Sequence, residues 1–232
     1  MKYLLSLIPL ILAGGACAQQ GFPFTNESLK YTINYSSGLS LGDASFSATH
    51  GTSGRGWEFE ASVNAAVPGF AILDKVRASA TDELCSTQFT RDLSNGSKKT
   101  REKTTFDEKA GKGHRATTMP ADGGETTFTI PSCPRDALTY VYYGRRELGQ
   151  GRVPHAQEVF FGSSYWAKMD YAGAQNIIVK GKSTVTDHLV ISVKGPKSDF
   201  SFEVFYARDA ARTPLEIRVP APVGTLTAEL AQ

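Results

Sequence analysis

The chain has 232 residues, of which 41% are hydrophobic and 21% charged, a composition typical of a folded globular protein. Its 25 Lys and Arg residues nearly balance 23 Asp and Glu residues, so the formal charge of +2 gives no electrostatic basis for binding nucleic acid or an anionic membrane surface. Beyond the N-terminus, no apolar run approaches the roughly 18 residues of a transmembrane helix. These values exclude several classes of protein, but they indicate neither a reaction nor a ligand.

The N-terminus has the three parts of a secretory signal peptide. Lys2 supplies a positive charge, residues 3–12 are almost all apolar, and small residues follow. Cleavage after Ala18 would divide the chain into a signal peptide, residues 1–18, and one β-rich domain of unknown function, residues 19–232. We therefore expect a periplasmic or secreted protein.

Cys17 leaves a second form of export open. Small residues also precede the cysteine of a lipoprotein signal, so lipidation of Cys17 would give a lipid-anchored envelope protein. Gly14 stands where such signals usually have an aliphatic residue, and this departure makes lipidation the minor alternative.

Cleavage after Ala18 would leave Cys85 and Cys133, which we expect to form a disulfide in an oxidising compartment. Two separate buried thiols are the alternative. A metal site is poorly supported, since there is no CxxC motif and the histidines lie far apart in the sequence, at His50, His114, His155 and His188.

Along the chain, apolar and polar residues alternate with the period of half-buried β-strands. The pattern is clear from Leu29 to Tyr35, from Trp57 to Val63 and from Leu215 to Val219. Glycine-containing turns separate these runs, and Asn95-Gly96 is a strong hairpin signal. We count about twelve short strands, which predicts a mainly β fold with a curved antiparallel sheet, half-barrel or sandwich-like.

One segment is predicted to be a helix. Ser132 is the predicted N-cap, Pro134 is tolerated in a first turn, and the apolar residues from Ala137 to Tyr142 have helical spacing. Gly144 and the two arginines after it would end the helix.

The sequence contains no recognisable catalytic motif. There is no G-x-S-x-G nucleophile elbow, no phosphate-binding P-loop and no dinucleotide-binding G-x-G-x-x-G after a strand. Asp187 and His188 are adjacent on a predicted strand, so their side chains should point to opposite faces. We therefore expect a protein that is not an enzyme and has no cofactor.

Two features are candidates for binding an apolar ligand or partner. The segment 66–73 is apolar and interrupted by Pro-Gly, so it could form a short helix or lid, or fill the core. Aromatic residues are also concentrated on the helix and after it, where they could line a pocket or pack an ordinary β core. The candidate contact residues are Phe70, Ile72, Leu73, Tyr140, Tyr143 and Trp166.

Three segments together resemble the exported bacterial domain-of-unknown-function family 3108. The first runs from Tyr31 to Phe46, the second has Asp136, Leu138, Tyr142 and Arg145 at the spacing of the family's helix, and the third runs from Asp209 to Leu230. The family has no assigned activity and no established catalytic residues. The resemblance implies an exported β-rich domain in which a curved sheet holds a helix, with Asp136 and Arg145 as structural anchors of that helix.

The leading hypothesis is a non-enzymatic envelope protein that binds a lipid or another apolar or amphipathic molecule, similar to a lipoprotein carrier. One alternative is an envelope scaffold that binds another protein, and the other is a hydrolase with an unrecognised site. Nucleic acid is not an expected partner, and no transmembrane span is predicted.

Overall fold

The computed structural model describes residues 23–24, 26–35, 37–51, 56–67, 69–196, 198–221 and 224–231. The signal peptide predicted at residues 1–18 and the alternative lipidation site Cys17 lie outside these ranges. Within them the chain forms fourteen strands and one helix, in the following order: β1 (Glu27–Tyr35), β2 (Ser40–His50), β3 (Trp57–Val67), β4 (Phe70–Ala80), β5 (Ser86–Asn95), β6 (Lys98–Asp107), β7 (Lys112–Met119), β8 (Gly124–Thr129), α1 (Ala137–Gly149), β9 (Gln157–Phe160), β10 (Ser164–Val179), β11 (Lys182–Gly195), β12 (Ser198–Ala207), β13 (Pro214–Ala221) and β14 (Gly224–Leu230).

All these strands belong to one antiparallel sheet whose order is β8-β7-β6-β5-β4-β3-β2-β1-β14-β13-β12-β11-β10-β9. Each strand therefore pairs with its neighbour in sequence, except that the first and last strands pair in the middle of the sheet, with Ile33 opposite Ala228. Helix α1 connects β8 to β9, the two edges of the sheet.

The sheet must curve strongly around α1. A flat sheet of this size would be about 65 Å wide at ~4.8 Å per strand, whereas a helix is only ~10 Å across. Nevertheless α1 packs in one cluster with β3 and β5 and in another with β10 to β12. The two edges also approach each other, since the rings of Phe128 in β8 and Phe160 in β9 are 5.3 Å apart. No backbone ladder joins these edges within the described residues, so the sheet is not closed.

The core lies between the inner face of the sheet and α1. In β3, Trp57, Phe59 and Ala61 are buried whereas Glu58 is exposed, as the period-two pattern predicts. Tyr142 of α1 stacks on Phe59 with ring centroids 4.1 Å apart. The predicted fold class, a mainly β chain with a single antiparallel sheet and one main helix, is confirmed.

The predicted start of the helix is wrong. The helix begins at Ala137 with Asp136 as its N-cap, and it continues past Gly144 to Gly149. Cys133 has a φ of +54°, a left-handed conformation that cannot belong to a right-handed helix, so Ser132 cannot cap it.

The interpretation of segment 66–73 as a helix or lid is also wrong. Strand β3 ends at Val67 and β4 begins at Phe70, and the two pair throughout their length as a tight hairpin. Gly69, with a φ of +99°, supplies the turn conformation that favours glycine. Gly69 therefore lies in the turn of a hairpin that joins β3 to β4.

Candidate functional site

A cavity of about 550 Å³ lies between α1 and one half of the sheet. Its walls come mainly from β9 to β13, with Leu29 of β1 and Phe46 of β2 at one side. The lining is almost entirely apolar: Leu29, Phe46, Ala137, Tyr140, Val141, Tyr142, Arg145, Val159, Phe161, Tyr165, Ala167, Met169, Ile191, Val193, Ser198, Phe200, Phe202, Val204, Tyr206, Pro214, Ile217 and Val219.

Strand β12 runs along the cavity from its mouth to its base. Every second residue from Phe200 to Tyr206 lines the cavity, because alternate side chains share one face of a strand. Phe200 is 47% exposed, whereas Val204 and Tyr206 are 4% and 2% exposed. The cavity therefore opens near the β11–β12 hairpin and ends deep in the protein.

A bulge keeps the neighbouring strand β13 in the same wall. Pro214, Ile217 and Val219 line the cavity although strict alternation would place 214 and 217 on opposite faces. The register between β12 and β13 shifts between Phe205 and Tyr206, so β13 has one extra residue at this point. The extra residue brings Pro214 back to the face of Ile217 and Val219.

Helix α1 forms the opposite wall with one face. Ala137, Tyr140, Val141 and Arg145 are spaced three, four and eight residues from the first, so they lie on one side of the helix. The position of this face depends on how the two ends of α1 are attached to the sheet.

Asp136 attaches the start of the helix to β5. Its carboxylate accepts hydrogen bonds from the backbone N–H groups of Leu138 and Thr139 at 2.9 and 3.0 Å, and from the hydroxyl groups of Ser86 and Thr139 at 2.6 and 2.7 Å. Complete burial raises the pKa of Asp136, and the hydrogen bond from Ser86 opposes this shift. The same region holds the Cys85–Cys133 disulfide that the sequence analysis predicts.

Arg145 attaches the other end of the helix. Its two terminal nitrogens donate to the Glu27 carboxylate at 2.7 and 2.6 Å, and its Nε donates to the carbonyl oxygens of Ala211 and Arg212. The side chain is 1% exposed and its guanidinium lies 4.8 Å from the centre of the Phe24 ring. These contacts of Asp136 and Arg145 support the anchoring roles that the family resemblance implies.

The charge at the cavity is compensated. Among the lining residues Arg145 is the single ionised group at neutral pH, and Glu27 neutralises it at the distance of a bidentate ion pair. Burial raises the pKa of Tyr140 and Tyr142 well above the usual range, and it raises the pKa of Tyr206 to about 12. The lining tyrosines with raised pKa values are therefore neutral hydroxyl groups.

Two tyrosines of the lining have a hydroxyl group that lacks a partner. The Tyr140 and Tyr142 oxygens are buried and form no hydrogen bond within the described residues. Buried hydroxyl groups in proteins are nearly always paired.

The predicted contact residues are not gathered at one place. Tyr140 lines the cavity, whereas Tyr143 is absent from the lining and has the Arg135 guanidinium 3.7 Å from its ring centre. Trp166 lies between the lining residues Tyr165 and Ala167, so it points to the outer face, and it is 55% exposed.

The three contact residues predicted near the β3–β4 hairpin lie elsewhere. Ile72 is partly buried against the residues around Tyr31, and Leu73 is exposed. Phe70 begins β4, but its side chain lies outside the described part of the structure. Neither Ile72 nor Leu73 lines the cavity.

Sequence reasoning missed most of the cavity wall. Alternation identifies Phe200 to Tyr206 as a strand and shows which side chains share a face. It does not show that α1 stands away from that face and leaves a space.

The described residues form no metal-binding group, and the adjacent Asp187 and His188 have separate partners. They hold no group of three His, Cys, Asp or Glu residues placed to bind a metal ion. Asp187 forms ion pairs with Arg208 and Arg212, while the His188 ring stacks on Phe205 at 4.5 Å. The described part of the chain also holds no helix with the length and apolarity of a membrane span.

Comparison with known proteins gives the family and the fold. The family model described as "Protein of unknown function (DUF3108)" matches residues 30–231, so the chain belongs to this family, as the sequence resemblance predicts. No curated protein matches the chain.

Two solved structures from bacteria match this chain, and the first has a similar fold. A beta-barrel-like protein of domain of unknown function DUF1849 from Brucella abortus is 9% identical, with a TM-score of 0.59, and the match covers 88% of this chain and 95% of that one. A Parabacteroides distasonis protein described as a candidate lipoprotein is 8% identical over 91% of this chain and 96% of its own, with a TM-score of 0.35. At such low identity the first match shows the fold alone, and the second carries no argument.

Proposed function

We propose that this DUF3108 family member is a non-enzymatic cell-envelope protein that binds an apolar or amphipathic molecule, such as a lipid, in the cavity beside α1. The observation that carries this proposal is the lining itself, which is apolar from the exposed Phe200 to the buried Tyr206. The volume of about 550 Å³ falls within the roughly 300–1,000 Å³ of small-molecule sites. An apolar space of this size would favour a ligand that removes apolar surface from water.

The composition of the lining argues against hydrolysis. It contains no Asp, Glu, His, Cys or Lys side chain, so it offers neither a general base nor an activated nucleophile. The predicted signal peptide supports a location in the envelope, where lipids and lipidated proteins are available as ligands.

Native mass spectrometry with organic extraction tests the proposal on the full chain, expressed with export to a bacterial periplasm. We expect a lipid-sized adduct on the wild-type protein and increased fluorescence of N-phenyl-1-naphthylamine, an uncharged apolar dye. Ala167→Phe should abolish both signals, because Ala167 is 2% exposed and its side chain lines the cavity. Val193→Phe provides a second block nearer the mouth in case the first variant folds poorly.

Trp166→Ala is the matched control, because it changes the neighbouring residue on the outer face. It should keep both the adduct and the dye signal. A wild-type protein that carries no adduct and does not bind the dye would refute the proposal and favour the envelope scaffold. Equal dye binding by wild type and both cavity variants would also refute it.

A further inference from the structure

A second pocket, of about 290 Å³, lies where the two edges of the sheet overlap, and we call it the edge pocket. Phe160 of β9 shares the outer face of its strand with Glu158, which pairs with the outward-facing Trp166. The Phe160 ring lies 5.5 and 5.3 Å from the rings of Phe106 and Phe128, which face the core from β6 and β8. The inner face of β6 to β8 therefore covers the outer face of β9, and the edge pocket shares no lining residue with the cavity beside α1.

The walls of the edge pocket bring together one cation and one carboxylate. Thr104, Arg115 and Thr126 lie directly opposite one another on β6, β7 and β8, and all three line the pocket. Residues opposite one another on neighbouring strands point to the same face, so these are side-chain contacts with the pocket. Glu158 lies on the other wall, on the same face of β9 as the lining residue Phe160.

Arg115 has no counter-ion. Its guanidinium forms no hydrogen bond or ion pair with the described residues, which include all 23 Asp and Glu residues of the chain. The Nε atom is buried, whereas the two terminal nitrogens keep accessible surface and can reach a ligand. By contrast, Arg91 on the same face of the sheet donates to Glu102 at 2.6 Å. An anionic group in the edge pocket would compensate the charge of Arg115.

Glu158 also lacks a charged partner among the described residues. Its carboxylate accepts a hydrogen bond from the Ser164 hydroxyl group, and it forms no ion pair with Arg115 although both line the edge pocket. A simple anion bound to Arg115 would be repelled by this carboxylate, and a simple cation bound to Glu158 would be repelled by the guanidinium. A molecule with one charge of each sign avoids both penalties.

We infer that the edge pocket binds a small zwitterion with one anionic group and one primary ammonium group. The terminal nitrogens of Arg115 donate to the anion, since a guanidinium matches carboxylate and phosphate groups. The ammonium group donates to Glu158, and the Phe128 and Phe160 rings offer apolar surface to a short hydrocarbon group. A free amino acid and a phosphoethanolamine head group both have this chemistry. The inference goes beyond the proposed function, because it assigns a second ligand to a different pocket.

Isothermal titration calorimetry of the full chain, purified from a bacterial periplasm, tests the inference with four probes. L-Leucine has both charges, isocaproate lacks its ammonium group and isoamylamine lacks its carboxylate. The fourth probe, glycerophosphoethanolamine, carries the lipid head group. We expect one of the two zwitterions to bind with a Kd of about 1 mM or below. Tighter binding of leucine identifies a free amino acid, and tighter binding of glycerophosphoethanolamine identifies a head group.

Removal of either charge should weaken binding. Isocaproate and isoamylamine should bind at least about tenfold more weakly than leucine if leucine is the tighter zwitterion, because each leaves one charge of the edge pocket uncompensated. Arg115→Gln and Glu158→Gln should each weaken binding of the tighter zwitterion by at least about tenfold. Arg115→Gln should melt no lower than wild type without ligand, since Arg115 has no partner to lose, and a purely structural role would lower its Tm.

Arg101→Gln is the matched control, because Arg101 is a 57% exposed arginine of β6 that pairs with Asp92. It should keep the wild-type affinity. Ala167→Phe, which blocks the cavity beside α1, should also leave binding of the zwitterion unchanged. Absence of binding by both zwitterions, binding of the single-charge analogues as tightly as leucine, or an unchanged affinity in Arg115→Gln would overturn the inference. Each of these results leaves the dye-binding test of the proposed function unaffected.

Discussion

Replacing Glu27 with glutamine tests whether the buried ion pair holds α1 in the sheet. The Arg145 side chain is 1% exposed and that of Glu27 is 11% exposed, so water compensates little if the pair is broken. Removing one member of a buried pair typically costs 3–5 kcal/mol, because the remaining charge is left without a counter-ion. Glutamine keeps the shape of the side chain and one acceptor oxygen, so we expect the free energy of unfolding to fall by about 3 kcal/mol, the lower end of this range.

Urea unfolding of the purified protein measures this loss in the free energy of unfolding, and thermal unfolding provides a second measurement. For a chain of this length, a change of about 3 kcal/mol corresponds to a decrease in Tm of roughly 6–12 °C. The matched control is Glu60→Gln, because Glu60 pairs with Lys75 and Arg77 at 2.8 and 2.7 Å but is 38% exposed. Exposed ion pairs contribute little to stability, so the control should lose less than about 1 kcal/mol of its free energy of unfolding.

Comparing the two variants shows whether burial makes the Arg145–Glu27 ion pair important for stability. Equal losses in Glu27→Gln and Glu60→Gln would refute the reasoning that burial makes the Arg145 pair essential. The double variant Glu27→Leu with Arg145→Met removes both charges together. It should be more stable than Glu27→Gln, since neither partner is left buried and unpaired.

Three further changes test other contacts of the fold. Replacing Cys85 and Cys133 together with serine opens a loop with a sequence separation of 48. The chain-entropy model assigns this link about 4 kcal/mol, so urea unfolding should show a decrease of that size in the free energy of unfolding, and reductant should have the same effect on wild type. A decrease below about 1 kcal/mol would contradict this prediction. Asp136→Ala removes the helix cap and the acceptor of the Ser86 hydroxyl group, so it should lower the free energy of unfolding by more than about 2 kcal/mol in thermal or urea unfolding. Ser132→Ala is the control and should lower it by less than about 0.5 kcal/mol. Similar decreases in both variants would argue against Asp136 as the cap. Trp166→Ala should leave Tm and dye binding unchanged, and weaker dye binding would return Trp166 to the ligand site.

The strands were predictable because their signal is local. Burial alternates along β1 at Leu29, Tyr31 and Ile33, and this pattern needs no knowledge of the partner strand. The disulfide followed from two cysteines and the expected compartment. The pairing of β1 with β14 was not predictable, because the residues that meet there are about two hundred positions apart in the sequence.

The start of the helix and the cavity depend on distant contacts. Ser132 and Asp136 are both acceptable N-cap residues, but Ser86, fifty residues away, donates a hydrogen bond to Asp136 and favours that position. Tyr140 was predicted as a contact residue from its aromatic character alone. The wall formed by Phe202, Val204 and Met169 required knowledge of where α1 lies.

The positions of the anchors explain why the cavity occupies only one side of α1. The disulfide and Asp136 fix the start of the helix near β5, and Arg145 fixes its later part to β1 and the loop after β12. Towards β10, β11 and β12 the helix meets the sheet through apolar side chains, among them Met169 and Val204. Apolar contacts are non-directional, so this side can adapt to a ligand without breaking a buried hydrogen bond. The fold thus combines a helix that polar contacts and a disulfide fix on one side with an apolar surface on the other, which suits the proposed binding of an apolar molecule.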